Sequence, residues 1–199
     1  FNYLEAYQIT GHDLYKKTVE DTIGFLLREM HDREGGFYSA IDADSDGKEG
    51  LYYLFEYDEI VNSLNNEEIE LLKEFYNINK EGNFNVNELD TGKNPNIITL
   101  QKNKLKPLLT DYKSIQKINQ LNEKLLNIRK KREHPFVDDK ILTDWNGLVI
   151  SALAKSYRIL GDKNYLNEAK KTIGFIEKKL MKEKEDAFHR YRKGNPGIK

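Results

Sequence analysis

Two stretches of the 199-residue chain gather side chains able to do chemistry. The first, Asp42-Ala43-Asp44-Ser45-Asp46-Gly47-Lys48-Glu49-Gly50, sets four carboxylates and one lysine within nine residues. Carboxylates this close suit cation binding, hydrogen bonding to hydroxyls or acid–base work, and the opening matches the D-x-D-x-D-G start of a calcium loop. Counted from Asp42, however, the bidentate twelfth ligand falls on Tyr53 and the apolar eighth position on Glu49, which argues against an EF-hand. Two uses stay open: a calcium site of another design, and short Asp side chains serving the backbone of a turn at Asp46-Gly47.

The second stretch is His134-Pro135-Phe136-Val137-Asp138-Asp139-Lys140-Ile141-Leu142-Thr143-Asp144-Trp145-Asn146-Gly147. A carboxylic acid with a raised pKa can donate a proton while a second carboxylate acts as base, and Asp138, Asp139 and Asp44 are the candidates for that pair. Around them Tyr38, Tyr52 and Trp145 offer flat apolar faces, while Asp42, Glu49, Lys140 and Asn146 offer oriented polar groups. Such a mixture suits a polyhydroxylated ligand. The competing assignment is architectural: Thr143 or Asp144 caps a helix, and Asp138 pairs with Lys140 on the surface.

Other chemistries find little support. The chain has no Cys, which removes disulfides, thiolate nucleophiles and Cys-ligated zinc from this stretch of protein and fits a cytoplasmic setting. His12, His31, His134 and His189 are scattered, with no H-E-x-x-H spacing, so no metal ligand set is assigned and no cofactor is expected. Lys and Arg (32) balance Asp and Glu (33) to a net charge of -1, which supplies no general field for nucleic acid or an anionic membrane. The basic run Arg129-Lys130-Lys131-Arg132 reads as a solvated helix end. No apolar run approaches the roughly 20 residues of a membrane span.

The elements that must position these residues follow from an internal repeat at an offset of 150. Tyr7, Ile9, Gly11 and Tyr15 recur as Tyr157, Ile159, Gly161 and Tyr165, and Thr22-Ile23-Gly24-Phe25 recurs unchanged as Thr172-Ile173-Gly174-Phe175. Each copy reads as a helix, a break at glycine and a second, one-sided helix, with Val19, Ile23, Leu26 and Met30 matching Ala169, Ile173, Ile176 and Leu180 in spacing. The helix over 144–160, bearing Trp145, Leu148, Val149, Ile150, Leu153 and Tyr157, is apolar nearly all round and is expected to be covered on both sides. Alternation of an all-round helix with an amphipathic one predicts helical hairpins in two concentric layers, a plain bundle being the alternative.

Between the copies, Asn65 or Asn66 caps a helix through Ile69, Leu72 and Phe75, and another runs through Ile115, Ile118, Leu121, Leu125 and Ile128 and is ended by Pro135. Gly36-Phe37-Tyr38-Ser39-Ala40 and Leu51-Tyr52-Tyr53-Leu54-Phe55 read as strands that pair as a hairpin around the acidic loop. The stretch 81–106 reads as mostly loop with a strand at 97–100, and Ala187-Phe188-His189-Arg190-Tyr191 is strand-like.

The strings Gly35 to Ser45 with Glu49-Gly50, and His134 with Asp138 to Leu148, resemble the YyaL-like thioredoxin-domain-containing family, the spermatogenesis-associated protein twenty-like proteins. The resemblance extends in weaker form over essentially the whole chain. It implies a mainly α fold, a partial (α/α)6 toroid of helical hairpins with an inserted β-hairpin, similar to N-acylglucosamine epimerases and six-hairpin glycosidases. Residues 1–199 would be one incomplete toroid fragment, with a thioredoxin-like domain upstream and further hairpins after it. The chain departs from the resemblance at two points: Ile41 stands where many members of the family carry an acidic residue, and none of the four histidines is matched to the cavity histidines of toroid epimerases.

The leading expectation is a toroid that binds a carbohydrate-like small molecule in a central cavity and acts on it as a hydrolase or an epimerase, with the two acidic stretches on one rim. Two alternatives remain open: a non-enzymatic scaffold that meets another protein or its own thioredoxin-like domain, and a calcium-stabilised structural domain. Exposed apolar edges on an unfinished arc would also favour self-association.

Overall fold

The computed structural model describes residues 1–85, 94–104, 111–183 and 186–197. The protein is mainly α-helical, with seven α-helices among the described residues and short strands between them. The chain folds into two compact units: unit 1 comprises 1–42 and 137–199, and unit 2 comprises 43–136.

Unit 1 contains both copies of the repeat. Helices α1 (Asn2–Thr10) and α2 (Asp13–Glu29) form the first hairpin, and α6 (Thr143–Leu160) and α7 (Lys163–Lys179) the second. The same devices end each helix at equivalent positions. Gly11 and Gly161 take left-handed φ values of 67° and 78°, and each donates its N–H to a tyrosine carbonyl, Tyr7 or Tyr157. A side chain with a Cβ is strained in that conformation, so glycine is the residue the tight break needs. His12 and Asp162 then cap the second helices through the N–H groups of Leu14 and Asn164.

The equivalence continues past the hairpins. Tyr38 N–H donates to the Met30 carbonyl and Phe188 N–H to the Leu180 carbonyl, again 150 positions apart. The chain thereby turns into β1 (Tyr38–Ile41) after the first hairpin. After the second it passes through a short ribbon of β7 (Met181–Glu183) and β8 (Asp186–Ala187) toward β9 (Arg190–Arg192). Strand β6 (Val137–Leu142) lies between β1 and β9 and pairs antiparallel with both, so that Ile141 faces Tyr38 on one side and Tyr191 on the other. With β10 (Asn195–Gly197) the sheet order is β1-β6-β9-β10. Leu4, Val19, Ile23, Phe37, Leu153, Tyr165 and Ala169 form one buried cluster, and Ile141, Phe175 and Leu180 another. Each buried Leu, Ile, Val or Phe among them contributes roughly 1.5–3 kcal/mol through its burial.

Unit 2 holds β2 (Asp44–Ser45) and β3 (Lys48–Glu49), a 3-10 turn at Leu51–Tyr53, α3 (Tyr57–Ser63), α4 (Asn66–Phe75), β4 (Tyr76–Asn77), β5 (Thr99–Leu100) and α5 (Tyr112–Arg129). Asn65 caps α4 in a reciprocal box with Glu68, as its place before an apolar-periodic run predicts. Phe55, Ile60, Leu64, Leu72, Leu121, Leu125 and Ile128 make the core of this unit. Asn96 is fully buried and knits loop to loop: its backbone exchanges hydrogen bonds with Phe55 and its amide with Asn79.

Several sequence expectations need correction. The segment 36–40 does not pair with 51–55. Tyr38–Ile41 pairs with β6, and Leu51–Tyr53 is a 3-10 turn that buries Tyr52. The inserted hairpin is the shorter β2–β3 ribbon, closed at Asp46-Gly47 with φ values of 52° and 68°. Two central residues at positive φ are what a twisted two-residue hairpin requires. Neither Thr143 nor Asp144 caps α6: Leu142 is the N-cap and makes no side-chain bond, while Thr143 Oγ1 donates to the Phe188 carbonyl. Helix α6 is not covered all round, because Trp145 and Leu148 stand exposed. Helix α5 ends at Arg129, well short of Pro135, and the strand expected at 97–100 is confined to Thr99–Leu100. The remainder of the 81–106 loop falls partly outside the described residues.

Candidate functional site

Strand β6 and the turn into α6 carry most of the unit 1 candidates. Asp138 Oδ2 lies 2.9 Å from Lys140 Nζ, two positions along the same strand and therefore on the same face. The hydrogen bond from Lys140, and then its charge, hold the Asp138 carboxyl below the usual carboxylate range. Asp139 pairs instead with Arg192 of β9, Nε to Oδ1 2.5 Å. Both carboxylates are thus tied to cations, each partly exposed. Such groups accept hydrogen bonds well, but the Asp138 carboxyl, held below the usual range, is a poor proton donor near neutral pH.

Next to this row, Ser39 Oγ donates to the Asp138 carbonyl, and the Tyr38 hydroxyl donates to Asp32 Oδ2 at 3.0 Å. Burial, followed by that bond to a carboxylate, pushes the Tyr38 phenol up to about 12. Tyr38 is therefore a neutral donor throughout the physiological range. Its edge supports the Ile141, Phe175 and Leu180 cluster.

Trp145 and Asn146 stand side by side in sequence and differ sharply in surroundings. Trp145 is 51% exposed, on the first turn of α6. Asn146 is 1% exposed, and its amide is fully engaged: Oδ1 accepts from Phe37 N–H at 2.7 Å, while Nδ2 donates to the carbonyls of Phe37 and Leu142. Along a helix, consecutive residues point about 100° apart, so one can face solvent while the next faces the core. His189, on the loop before β9, places Nδ1 3.9 Å from Asp144 Oδ1, with both side chains largely exposed.

Asp42 is exposed at the end of unit 1, whereas Asp44, Glu49 and Tyr52 belong to unit 2. Asp44 pairs with Glu49 in the β2–β3 register, and Ser45 Oγ donates to the Glu133 carbonyl at 3.0 Å. Among the described residues no three His, Asp or Glu side chains are placed to hold a metal ion. Tyr52 is buried, with the Arg129 guanidinium over its ring at 5.1 Å and the His134 ring at the same distance.

The basic run at the end of α5 is more than a solvated helix end. Arg132 donates to the Tyr52 and Leu54 carbonyls, pairs with Glu59 at 2.6 Å and lies over the Phe55 ring. A planar fork with five donors can satisfy several acceptors at once, which lysine cannot. Together with Ser45, Tyr52, Leu54, Glu59 and Glu133, Arg132 lines a unit 2 cavity of about 460 Å³. Nothing in the spacing of the run distinguishes Arg132 from its neighbours. Arg192 and His189 are likewise not legible in the sequence as neighbours of the β6 carboxylates, since strand pairing across the intervening helices brings them there.

The sequence is 28% identical to human spermatogenesis-associated protein 20 over 200 residues, 90% of the chain. It is 26% identical to the mouse protein of that name over 200 residues, and 30% identical to an uncharacterized protein of Caenorhabditis elegans over 193 residues. The chain spans about a quarter of the length of these curated relatives: 25%, 25% and 26% respectively. No family model matches it. These similarities support the relationship to spermatogenesis-associated protein 20 that the two acidic strings imply. Among the described residues no helix is long and apolar enough to cross a membrane.

Proposed function

We propose that the chain is part of an (α/α)6 toroid and that unit 1 binds a carbohydrate-like polar small molecule beside β6. The observation that carries this reading is the half-exposed Trp145, set directly after a strand whose Asp138 and Asp139 are held by Lys140 and Arg192. An exposed indole offers a flat apolar face to a sugar ring, and ionised carboxylates with cations beside them supply acceptors and donors for its hydroxyls. In this reading Asp138, Asp139 and Lys140 bind, Trp145 stacks, and Asn146 positions the helix rather than touching ligand. The toroid resembles sugar-processing enzymes, but the state of Asp138 suits an acceptor or base and not a general acid. An upstream thioredoxin-like domain and its contact with the toroid remain part of the proposal for the whole protein, as does a cytoplasmic location.

Trp145 is the only tryptophan, so its fluorescence reports the site directly. Titration with neutral hexoses and N-acetylhexosamines is expected to shift or quench emission saturably, with the response weakened in Asp138→Asn. Flat emission across the panel, with ligand-observed NMR also silent, would reject the reading.

A second reading, a non-enzymatic helical scaffold, is favoured by Asn146, whose polar atoms are all spent on backbone groups. The two separate experimentally. If Lys140→Met leaves melting unchanged and abolishes the fluorescence response, and Trp145→Ala leaves melting unchanged and abolishes the ligand-observed NMR response, the residues form a site; if they mainly lower stability, they are architecture.

A further inference from the structure

The sheet of unit 1 has two unlike faces. In the antiparallel pairing of β6 with β9, Ile141 faces Tyr191 and Leu142 faces Arg190. Tyr38, Ile141 and Tyr191 pack with Phe175 and Leu180 on one face. Side chains alternate along a strand, so Asp138, Lys140 and Leu142 of β6 stand on the other face with Arg190 and Arg192 of β9. The Asp138–Lys140 pair agrees with this, and Asp138 is held below its ordinary pKa by Lys140 first and more weakly by Arg192.

Pairing leaves one cation over. Lys140 takes Asp138 and Arg192 takes Asp139, whereas Arg190 has no ion pair and no hydrogen-bond acceptor among the described residues, although its Nε is buried. Asp144, the acid at the start of α6, stands 3.9 Å from His189 instead. The guanidinium is nonetheless held in place: it lies across β10, where a Cβ on Gly197 would come within 3.2 Å of Nη2 and 3.9 Å of Nε. A buried donor without an acceptor is costly. A fixed planar fork whose N–H groups are all unspent matches the geometry of a carboxylate or a phosphate.

Arg190 also adjoins the stacking residue. Thr143 N–H donates to the His189 carbonyl and Thr143 Oγ1 to that of Phe188, which brings the start of β9 to the first turn of α6, where Trp145 is exposed. We propose that, given the sugar-binding reading on which this rests, the ligand beside β6 is an anionic sugar, a uronic acid or a phosphorylated sugar. Arg190 takes its carboxylate or phosphate while Trp145 stacks on the ring. Asp138 and Asp139 do not turn such a ligand away, because Lys140 and Arg192 neutralise them. The surplus charge of the face is that of Arg190, and it is positive.

The test compares glucose, glucuronate and glucose 6-phosphate on the 199-residue chain, with inorganic phosphate as the bare anion, read by Trp145 emission and ligand-observed NMR at low ionic strength. At least one anionic sugar is expected to bind about tenfold or more tightly than glucose, the equivalent of one charge-assisted contact, and which one does so identifies the anion. In Arg190→Gln that advantage is expected to vanish, while glucose binding, circular dichroism and melting stay as they were. Arg190→Lys, which keeps the charge and loses the fork, is expected to recover only part of it. Equal affinity for glucose and both anionic sugars would overturn the inference and leave the sugar-binding reading standing, whereas silence across the panel would overturn both. A preference that survives in Arg190→Gln would place the anion on another cation and overturn it, as would inorganic phosphate binding as tightly as the favoured sugar. Should Arg190→Gln not fold, Arg190→Lys decides, and an undiminished preference there overturns the assignment.

Discussion

Asn146 answers both main-chain polar groups of Phe37: its Oδ1 accepts from the Phe37 N–H and its Nδ2 donates to the Phe37 carbonyl, across 109 positions of sequence. The side chain thus does for Phe37 what a neighbouring strand would do, and it ties the start of α6 to the segment after α2. Because Asn146 is only 1% exposed, losing either bond leaves a buried group without its partner.

Asn146→Ala is therefore expected to cost about 2–4 kcal/mol, since three hydrogen bonds disappear and a small cavity opens. Asn146→Asp keeps the acceptor for Phe37 N–H but opposes two carbonyls with a carboxylate oxygen, and is expected to be no milder near neutral pH. Urea denaturation with unchanged m-value would measure both.

Burial holds His31 below its ordinary pKa, against the opposing pull of Glu168, whose Oε2 stands 3.4 Å from Nε2. Lys171 lowers it further and Asp32 opposes, while the ring packs on Phe37 at 4.7 Å. A depressed folded pKa means that the neutral form is favoured by folding. This contribution is present above the unfolded histidine value of about 6.5 and is lost as pH falls through the folded value. His31→Gln is expected to flatten the fall in melting temperature below about pH 6.5. An unchanged pH profile in that variant would assign the loss to other groups.

The two isoleucines of the repeated tetrapeptide predict unequal costs. Ile23→Ala empties a core position and is expected to lose about 2–4 kcal/mol, whereas Ile173→Ala is expected to stay within about 0.5 kcal/mol. Equal effects in urea denaturation would contradict the burial pattern.

Gly36 admits no side chain. A Cβ there would lie 2.7 Å from Ile141 Cδ1 and 3.0 Å from Phe175 Cε1, both in a packed cluster. Gly36→Ala is expected to destabilise by about 1–3 kcal/mol through overpacking. Pairing it with Ile141→Val is expected to recover part of the loss, which a thermal melt of the double variant checks.

Arg132→Lys retains charge but cannot reach Tyr52, Leu54 and Glu59 together. The expected loss is about 1–3 kcal/mol, confined to unit 2 in hydrogen exchange, with amides of the Leu51–Tyr53 turn losing protection first.

What the sequence discloses follows the range of each interaction. The helical hairpins are legible because 3.6-residue periodicity and glycine breaks are local, and the repeat at 150 positions shows that two hairpins share one plan. Strand β6 is not legible. Its Asp138-Asp139-Lys140 core interrupts any alternation, and it becomes a strand only between β1 and β9, both distant in sequence. The aromatic run Leu51 to Phe55 misleads for the opposite reason: its residues are β-prone, yet Gly50 at φ 74° starts a 3-10 turn in which Tyr52 turns inward. Counter-ions divide in the same way. Lys140 can be paired with Asp138 from spacing alone, whereas Arg192 for Asp139 needs the sheet.

Ile41 and Val137 face each other in register, at the points where the chain leaves unit 1 and returns to it. Unit 2 is thereby spliced in where an ordinary ribbon would have a two-residue loop. Cutting out 42–136 and joining Ile41 to Val137 through Asn-Gly would leave β1 and β6 as adjoining arms, making the smaller unit a removable cassette and its host a candidate for expression without it.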